Sequence, residues 1–570
     1  YLLKRLWAVN CYSFAMNVQK GLPRVPVPPL RKTCEGYLSA LEPIIEEDEW
    51  KRAKQLVEAF MKRGGVGEEL QRSLERKACN TDNWISLVVF GTCVLPLFFS
   101  PPRFTDGGCV FHSETLPAEN LGGKPLCMEQ YSQLLSTCRI PGLERDSVVF
   151  HAKIGNPPKH ITVVYNSQFF VVEVYHNDGT PLTVDQLCVQ MESICTSTSE
   201  TNTEPVGILT TLDRDSWSKA YLSMKDQTNK ESLSAIERSI FTLCLDRAIP
   251  RESDKYGTCD FHLITHGGGS QWNSANRWFD KSLQIIVAED GSWGLNLIHI
   301  VADGTVSMAL TDYLVPEMRQ ASILPLPMPQ KLHFHVTPDI KEIIEQAKRS
   351  MDSTQLIDMN IVLVFDHFGK NYLKAHNMSP DAFIQMAIQL AYYRMNKQVC
   401  ASYEAVSQRM FRRGRVSLLL STTSVSAAFV KAFDDPQKQN SREAKKTCVP
   451  TQLNSGSMVI GGHDIVAHII ALRLQAVENK LPMPDIFRDI SYKKILNYQF
   501  VTSNTGSVGV HQVDENSGYS LCYSVHNSHF IIEMATFNTH KRLNTRHLIQ
   551  NMKDALLDMR ALLEQAPRAT

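Results

Sequence analysis

Four residues, Glu289-Asp290-Gly291-Ser292, separate two apolar runs, Leu283 to Ala288 and Trp293 to His299. Asp-Gly between apolar stretches is a strong local signal for a β-hairpin, so this chain must build a sheet. The second run has a period of two, which sets Trp293, Leu295, Leu297 and His299 on one face. His299 is therefore expected to end a buried face, where the strand gives way to Ile300-Val301-Ala302-Asp303-Gly304.

Helical and β signals alternate through the rest of the chain. Ile161–Tyr165 and Gln168–Tyr175 flank Asn166-Ser167 and read as a second hairpin. A proline-rich lead-in, Gly21–Pro29, precedes a charged helical stretch from Thr33 to Lys77. Thr337-Pro338-Asp339 starts a helix, and Ser379-Pro380-Asp381 starts another. The latter combines a capping hydroxyl, a proline in the first turn and a carboxylate at the positive end of the dipole. Leu548, Met552, Ala555, Leu556, Met559 and Leu563 form one stripe of a last helix, 545–565. Residues 437–462 are polar and irregular and read as a loop or a disturbed helix. The class is α/β or α+β, with mixed sheets.

Composition narrows the function. The 570 residues carry formal net charge +0, which argues against a nucleic-acid partner. The 14 cysteines contain no Cys-x-x-Cys pair, so neither a zinc site nor a disulfide framework is expected. The most apolar run, Ile85–Phe99, is broken by Pro96 and falls short of the roughly 20 residues a membrane span needs. Residues 1–19 contain no acidic residue, a composition that fits a targeting segment and an ordinary solvated arm equally well.

Four features could carry chemistry. In His299-x-x-x-Asp303-Gly304, an imidazole at a strand end can take a proton from an alcohol or thiol, and the carboxylate can hold nearby groups in place. A satisfied core histidine fits the short pattern as well. His266-Gly267-Gly268-Gly269 matches an oxyanion loop of esterases, but there is no G-x-S-x-G elbow, so a serine hydrolase is not expected. Lys370 and Lys374, ahead of the Ser379 cap, can grip a phosphate as point charges, or simply be solvated. Val501-Thr502-Ser503 brings hydroxyls to a strand end, where one can donate to an oxyanion. His333 and His335 alternate on an expected strand, and with no third ligand they read as strand residues, not a metal pair. Walker A and G-x-G-x-x-G patterns are missing, which leaves nucleotide hydrolysis and hydride transfer without support.

In this order, these features resemble the choline/carnitine acyltransferase family. The likeness extends over Lys20–Arg24, Asn276-Arg277-Trp278-Phe279-Asp280-Lys281, Pro325–Pro329, Ser379–Tyr393, Tyr403-Glu404 and Arg409–Arg415. The resemblance implies two α/β domains around a substrate tunnel, in a chloramphenicol-acetyltransferase-like fold. Residues 76–335 would carry the catalytic histidine. Residues 20–75 with 336–570 would bind coenzyme A and the acceptor, and 1–19 would be an N-terminal arm. It further implies transfer of a short acyl group, acetyl, between coenzyme A and the hydroxyl of carnitine. His299 would be the general base, Asp303 its accompanying acid and Ser503 the oxyanion donor. Lys370, Lys374 and Asp381 would bind coenzyme A, and Tyr403 and Thr502 would bind carnitine. Coenzyme A enters as substrate, and no metal, resident cofactor or covalent acyl-enzyme is implied. The expected protein is a monomer acting on small molecules. The mitochondrion is its expected location, ahead of the peroxisome, because Pro567-Arg568-Ala569-Thr570 is not Ser-Lys-Leu-like.

Departures from the family pattern concern the acceptor. A serine, a threonine and an arginine expected around the carnitine carboxylate are Ala405, Val416 and Ala467. The first serine of Ser-Thr-Ser is Val501. Three readings follow: an active carnitine acyltransferase, a diverged paralogue with weak or no turnover, and an enzyme acting on choline or another alcohol.

Overall fold

A computed structural model describes residues 21–85, 119–249 except 155 and 199, 266–306 except 300, residue 309, 326–353, 357–435, 462–504, 518–537 and 544–564. The expected loop 437–462 and the apolar run 85–99 fall almost wholly outside these residues.

Residues 21–85 form three amphipathic helices, α1 (Leu30–Leu41), α2 (Glu47–Phe60) and α3 (Val66–Cys79). A reciprocal capping box between Glu46 and Glu49 starts α2 and satisfies amide groups that the first turn leaves open. The buried stripes Cys34/Tyr37/Leu41, Ala53/Val57/Phe60 and Leu70/Leu74 enter a core shared with α12 (Ile465–Glu478) and α13 (Ile490–Leu496). The compact unit that they join also holds residues 357–564.

The other unit, 119–353 among described residues, is built on a mixed six-stranded sheet. Its strands are β1 (His160–Tyr165), β2 (Gln168–Glu173), β3 (Thr242–Asp246), β4 (Leu283–Ala288), β5 (Trp293–Leu297) and β6 (Gln330–Lys331), in the order β6-β2-β1-β3-β4-β5. Both expected hairpins form. Tyr165 pairs with Gln168 around Asn166 and Ser167, whose φ angles of 49° and 59° give the doubly left-handed turn that matches strand twist. Leu283 pairs with Leu297 and Val287 with Trp293. However, β5 is the edge strand, and Trp293 is 41% exposed where the period alone suggested burial. An edge strand lacks the second neighbour that would cover its ends. Strand β6 ends at Lys331, so His333 and His335 lie beyond it, exposed, while Leu332, Phe334 and Val336 turn inward.

The Asn276–Lys281 stretch serves this core rather than a ligand. Arg277, fully buried, donates to both oxygens of Asp246 at 2.8 and 2.6 Å. Asp280 accepts from Arg139, Arg214 and the Trp217 indole at 2.7, 2.9 and 2.6 Å. The buried Lys281 ammonium donates to the carbonyls of Glu237 and Ser239. A buried charge needs such partners.

Two boundaries differ from expectation. Helix α8 (Pro338–Ser353) packs Ile340, Ile344, Ala347 and Met351 against Trp217 and Trp278, so it belongs with the first sheet. Residues 76–85 go with the second: α3 runs to Cys79, and Trp84 meets His468 edge-on at 5.9 Å.

The second sheet is also mixed and six-stranded. Its strands are β7 (Ile357–Phe365), β8 (Ser402–Ser407), β9 (Val416–Leu420), β10 (Phe500–Asn504), β11 (Tyr519–Val525) and β12 (Phe530–Phe537), in the order β7-β12-β11-β10-β8-β9. One face packs Phe500, Leu521, Ile532 and Met534 against α10 (Pro380–Asn396) and α14 (Thr545–Glu564). The fold is mixed α/β with two mixed sheets. Among the described residues no helix is long and apolar enough to cross a membrane.

Candidate active site

Strand β5 stops at Leu297, and the chain turns through His299 into a short helical segment starting at Gly304. Val301, Ala302 and Val306 anchor that turn in the core. The His299 side chain is left 44% exposed, with Nε2 3.7 Å from Asp303 Oδ1. That separation is too long for a hydrogen bond, so the carboxylate acts on the imidazole through charge. Asp303 itself is buried and held from two sides. Gln130 Nε2 donates to Asp303 Oδ2 at 3.0 Å, and the Asp303 backbone N–H donates to Gln130 Oε1 at 2.7 Å. Gln130 lies on the short helix Glu129–Leu134. No spacing rule singles it out in the sequence, since its partner is 173 residues away.

Strand β10 lies inside the second sheet, parallel to both β8 and β11. The pleat sends adjacent side chains to opposite faces. Thr502 turns toward α10, where its hydroxyl donates to the Tyr403 carbonyl at 3.0 Å and accepts from Gln385 Nε2 at 2.9 Å. Ser503 turns the other way, and Tyr403, Ala405, Val416 and Leu418 share its face through the pairings Ser503↔Ala405, Ala405↔Leu418, Tyr403↔Leu420 and Ser407↔Val416. Thr502 is thus separated from the face that holds the other expected acceptor residues. Its fully buried hydroxyl ties β10 to β8.

On the α10 side, Asp381 Oδ1 accepts from the Tyr523 hydroxyl at 2.7 Å and from Asn504 Nδ2 at 3.1 Å. Tyr523 also lies 3.4 Å from Glu404 Oε1. Burial, and then the charge of Asp381, push the Glu404 carboxyl up to about 8. Both effects favour the neutral form of Glu404. The Tyr523 hydroxyl thus lies within reach of both carboxyls, and its oxygen accepts from Gln385 Nε2 at 2.9 Å. The Asp381 stretch is in this way tied to the strands that carry Tyr403 and Ser503.

Lys370 opens the short helix α9 (Lys370–Ala375), and Lys374 lies one turn on; both are exposed. Gly369 is required just before them. A Cβ there would come within 2.4 Å of the His529 backbone nitrogen. The close approach lets the Lys370 and Asn371 amides donate to the carbonyls of His526 and Asn527 at 2.9 and 3.0 Å.

Ala467 is fully buried in the first turn of α12. Asp464 caps that helix, accepting from the Ala467 N–H at 2.8 Å, and also receives the Leu418 N–H at 3.0 Å and the Ser417 hydroxyl. The carboxylate thereby docks α12 on the outer edge of β9. Among the described residues no group of three His, Cys, Asp or Glu side chains could hold a metal ion.

The choline/carnitine O-acyltransferase family model matches residues 25–90 and 110–554. Carnitine O-acetyltransferase of Rattus norvegicus is 44% identical over 97% of this chain and 95% of its own length, and that of Columba livia is 45% identical over the same shares. Choline O-acetyltransferase of Gallus gallus is 31% identical over 97% of this chain and 94% of its own. With its histidine and serine set at strand ends as described, the chain belongs to the choline/carnitine O-acyltransferase family.

Proposed function

We propose that this protein transfers a short acyl group reversibly between coenzyme A and the hydroxyl of carnitine. The observation that carries the reading is the end-to-end identity of about 44% with carnitine O-acetyltransferases. His299 takes the hydroxyl proton as the alcohol oxygen attacks the thioester carbonyl carbon. The carbonyl π electrons move onto oxygen, and Ser503 donates a hydrogen bond to that oxyanion. Collapse of the tetrahedral species breaks the carbon–sulfur bond, and the imidazolium protonates the departing thiolate. Asp303, steadied by Gln130, favours the imidazolium by charge.

A second reading keeps the chemistry and changes the alcohol. Ala405 and Val416 present apolar side chains on the Ser503 face, where a carboxylate-bearing acceptor calls for donors. The test of both readings is thiol release from acetyl-CoA with carnitine, choline or neither. Acceptor-dependent release with carnitine supports the first and release with choline alone supports the second. No release with either sinks the enzyme readings and leaves a coenzyme A-binding paralogue.

Lys370 and Lys374 are proposed to bind the 3′-phosphate of coenzyme A. Neutralising both should raise the KM for acetyl-CoA and flatten its salt dependence. Wild type should bind coenzyme A more tightly than its 3′-dephospho form, and equal affinities would count against these lysines.

A further inference from the structure

One row of side chains crosses the second sheet on the Ser503 face. The pairings run Val362↔Glu533, Glu533↔Cys522, Cys522↔Ser503 and Ser503↔Ala405. Paired residues project to the same side, so Glu533 and Ser503 emerge from one face two strands apart, about 9–10 Å. The flanking residues Ile532 and Met534 point to the opposite side, into the core against α10 and α14.

Glu533 is only 2% exposed, and among the described residues neither carboxylate oxygen has a hydrogen-bond partner. Ser524, paired with Ile531 and therefore a diagonal neighbour of Glu533 on this face, is 1% exposed with its hydroxyl also unpartnered. Buried polar groups are nearly always satisfied, and a lone buried carboxylate is among the costlier exceptions. Burial alone pushes the Glu533 carboxyl up to about 7, with no cation or donor to bring it back. A purely structural role does not account for the pair: an apolar side chain at 533 would fill the same row without that cost.

We infer that Glu533, with Ser524, is a specificity site on the Ser503 face that receives a cationic amino group of the substrate. The inference rests on the acyl-transfer reading and deepens it. An amine about two strands from the oxyanion position satisfies both oxygens of the carboxylate; an acetyl group is too short to reach. The amine can belong to the acyl group or to the acceptor alcohol, and the chemistry of recognition is the same.

The test compares kcat/KM within two matched pairs. In the acyl arm, aminohexanoyl-CoA is set against heptanoyl-CoA with carnitine as acceptor. In the acceptor arm, aminopentanol is set against hexanol with acetyl-CoA as donor. Wild type should prefer the amine in one arm by about 10–100-fold, the range for a hydrogen bond to a charged group. Glu533→Gln should bring that ratio close to one, and Ser524→Ala should lower it part of the way. Because the readout is a ratio, a general change in turnover cancels. No preference in either arm, or a preference that survives Glu533→Gln, overturns the inference. If wild type releases no thiol from acetyl-CoA with carnitine or choline, the acyl-transfer reading has failed separately. The same amines are then read by thermal shift. A rise in Tm for wild type that is lost in Glu533→Gln still supports the site, and equal shifts overturn it.

Discussion

His299→Ala should lower kcat/KM for acyl transfer by about 10²–10⁴-fold, the contribution of a positioned general base. The side chain is 44% exposed on a turn whose core contacts come from Val301, Ala302 and Val306, so its removal leaves the fold intact. The loss should fall mainly on kcat, with coenzyme A affinity unchanged. Asp303→Asn should cost less, since Asp303 acts on the imidazole across 3.7 Å rather than through a hydrogen bond. Gln130→Ala should resemble Asp303→Asn, because it releases the carboxylate that Asp303 presents. A stopped-assay comparison of all three with wild type decides the matter. Retention of most activity in His299→Ala removes the base from the proposal.

The second large effect concerns the acceptor. Wild type should show a high KM for carnitine, because Ala405, Val416 and Ala467 offer its carboxylate neither charge nor a hydrogen bond. Val416→Thr with Ala467→Arg should lower that KM, each restored contact contributing about 10–100-fold. Ala467→Arg has the larger intended effect and the larger structural obstacle. Position 467 is fully buried, and the new guanidinium would start three residues from the Asp464 carboxylate that caps α12. Pairing with Asp464 would divert the charge from the ligand. Val416, half-buried on β9, takes the nearly isosteric threonine without strain. The two effects should couple, since both groups would face one carboxylate. Tight carnitine binding by wild type defeats this account, and so does an unchanged KM in a folded double variant.

Much of this architecture is legible in the residues. The hairpin at Asp290-Gly291 and the Ser379-Pro380-Asp381 helix start rest on local rules, and local rules carry over into the fold. The last helix matches its stripe to within a residue, ending at Glu564. What escaped the reading depends on pairing across distance. Exposure of Trp293 follows from β5 being an edge strand, which no local pattern reveals. The opposite orientations of Thr502 and Ser503 require knowing which face of β10 meets α10. Gln130 gains its role from a contact 173 residues away. Glu533 sits in the apolar run Phe530-Ile531-Ile532-Glu533-Met534, where its acidity stands out, but only the register across β11 and β10 aligns it with Ser503.

The docking of α1–α3 onto α12 and α13 bears on how the chain is made. Thr33 meets His468 and Tyr37 meets Ser491, contacts that span 435 and 454 residues. A ribosome adding about 5–20 residues per second needs roughly 20–80 seconds to travel from the end of the first helices to their partners. Throughout that interval the stripes Cys34/Tyr37/Leu41 and Ala53/Val57/Phe60 lack the α12 and α13 surfaces that complete their core. Residues 119–353, contiguous in sequence, can assemble meanwhile on their own sheet. The histidine-bearing unit can thus assemble while residues 30–60 still await α12 and α13. A holdase chaperone acting on the emerging chain would be expected to engage residues 30–60 during this interval.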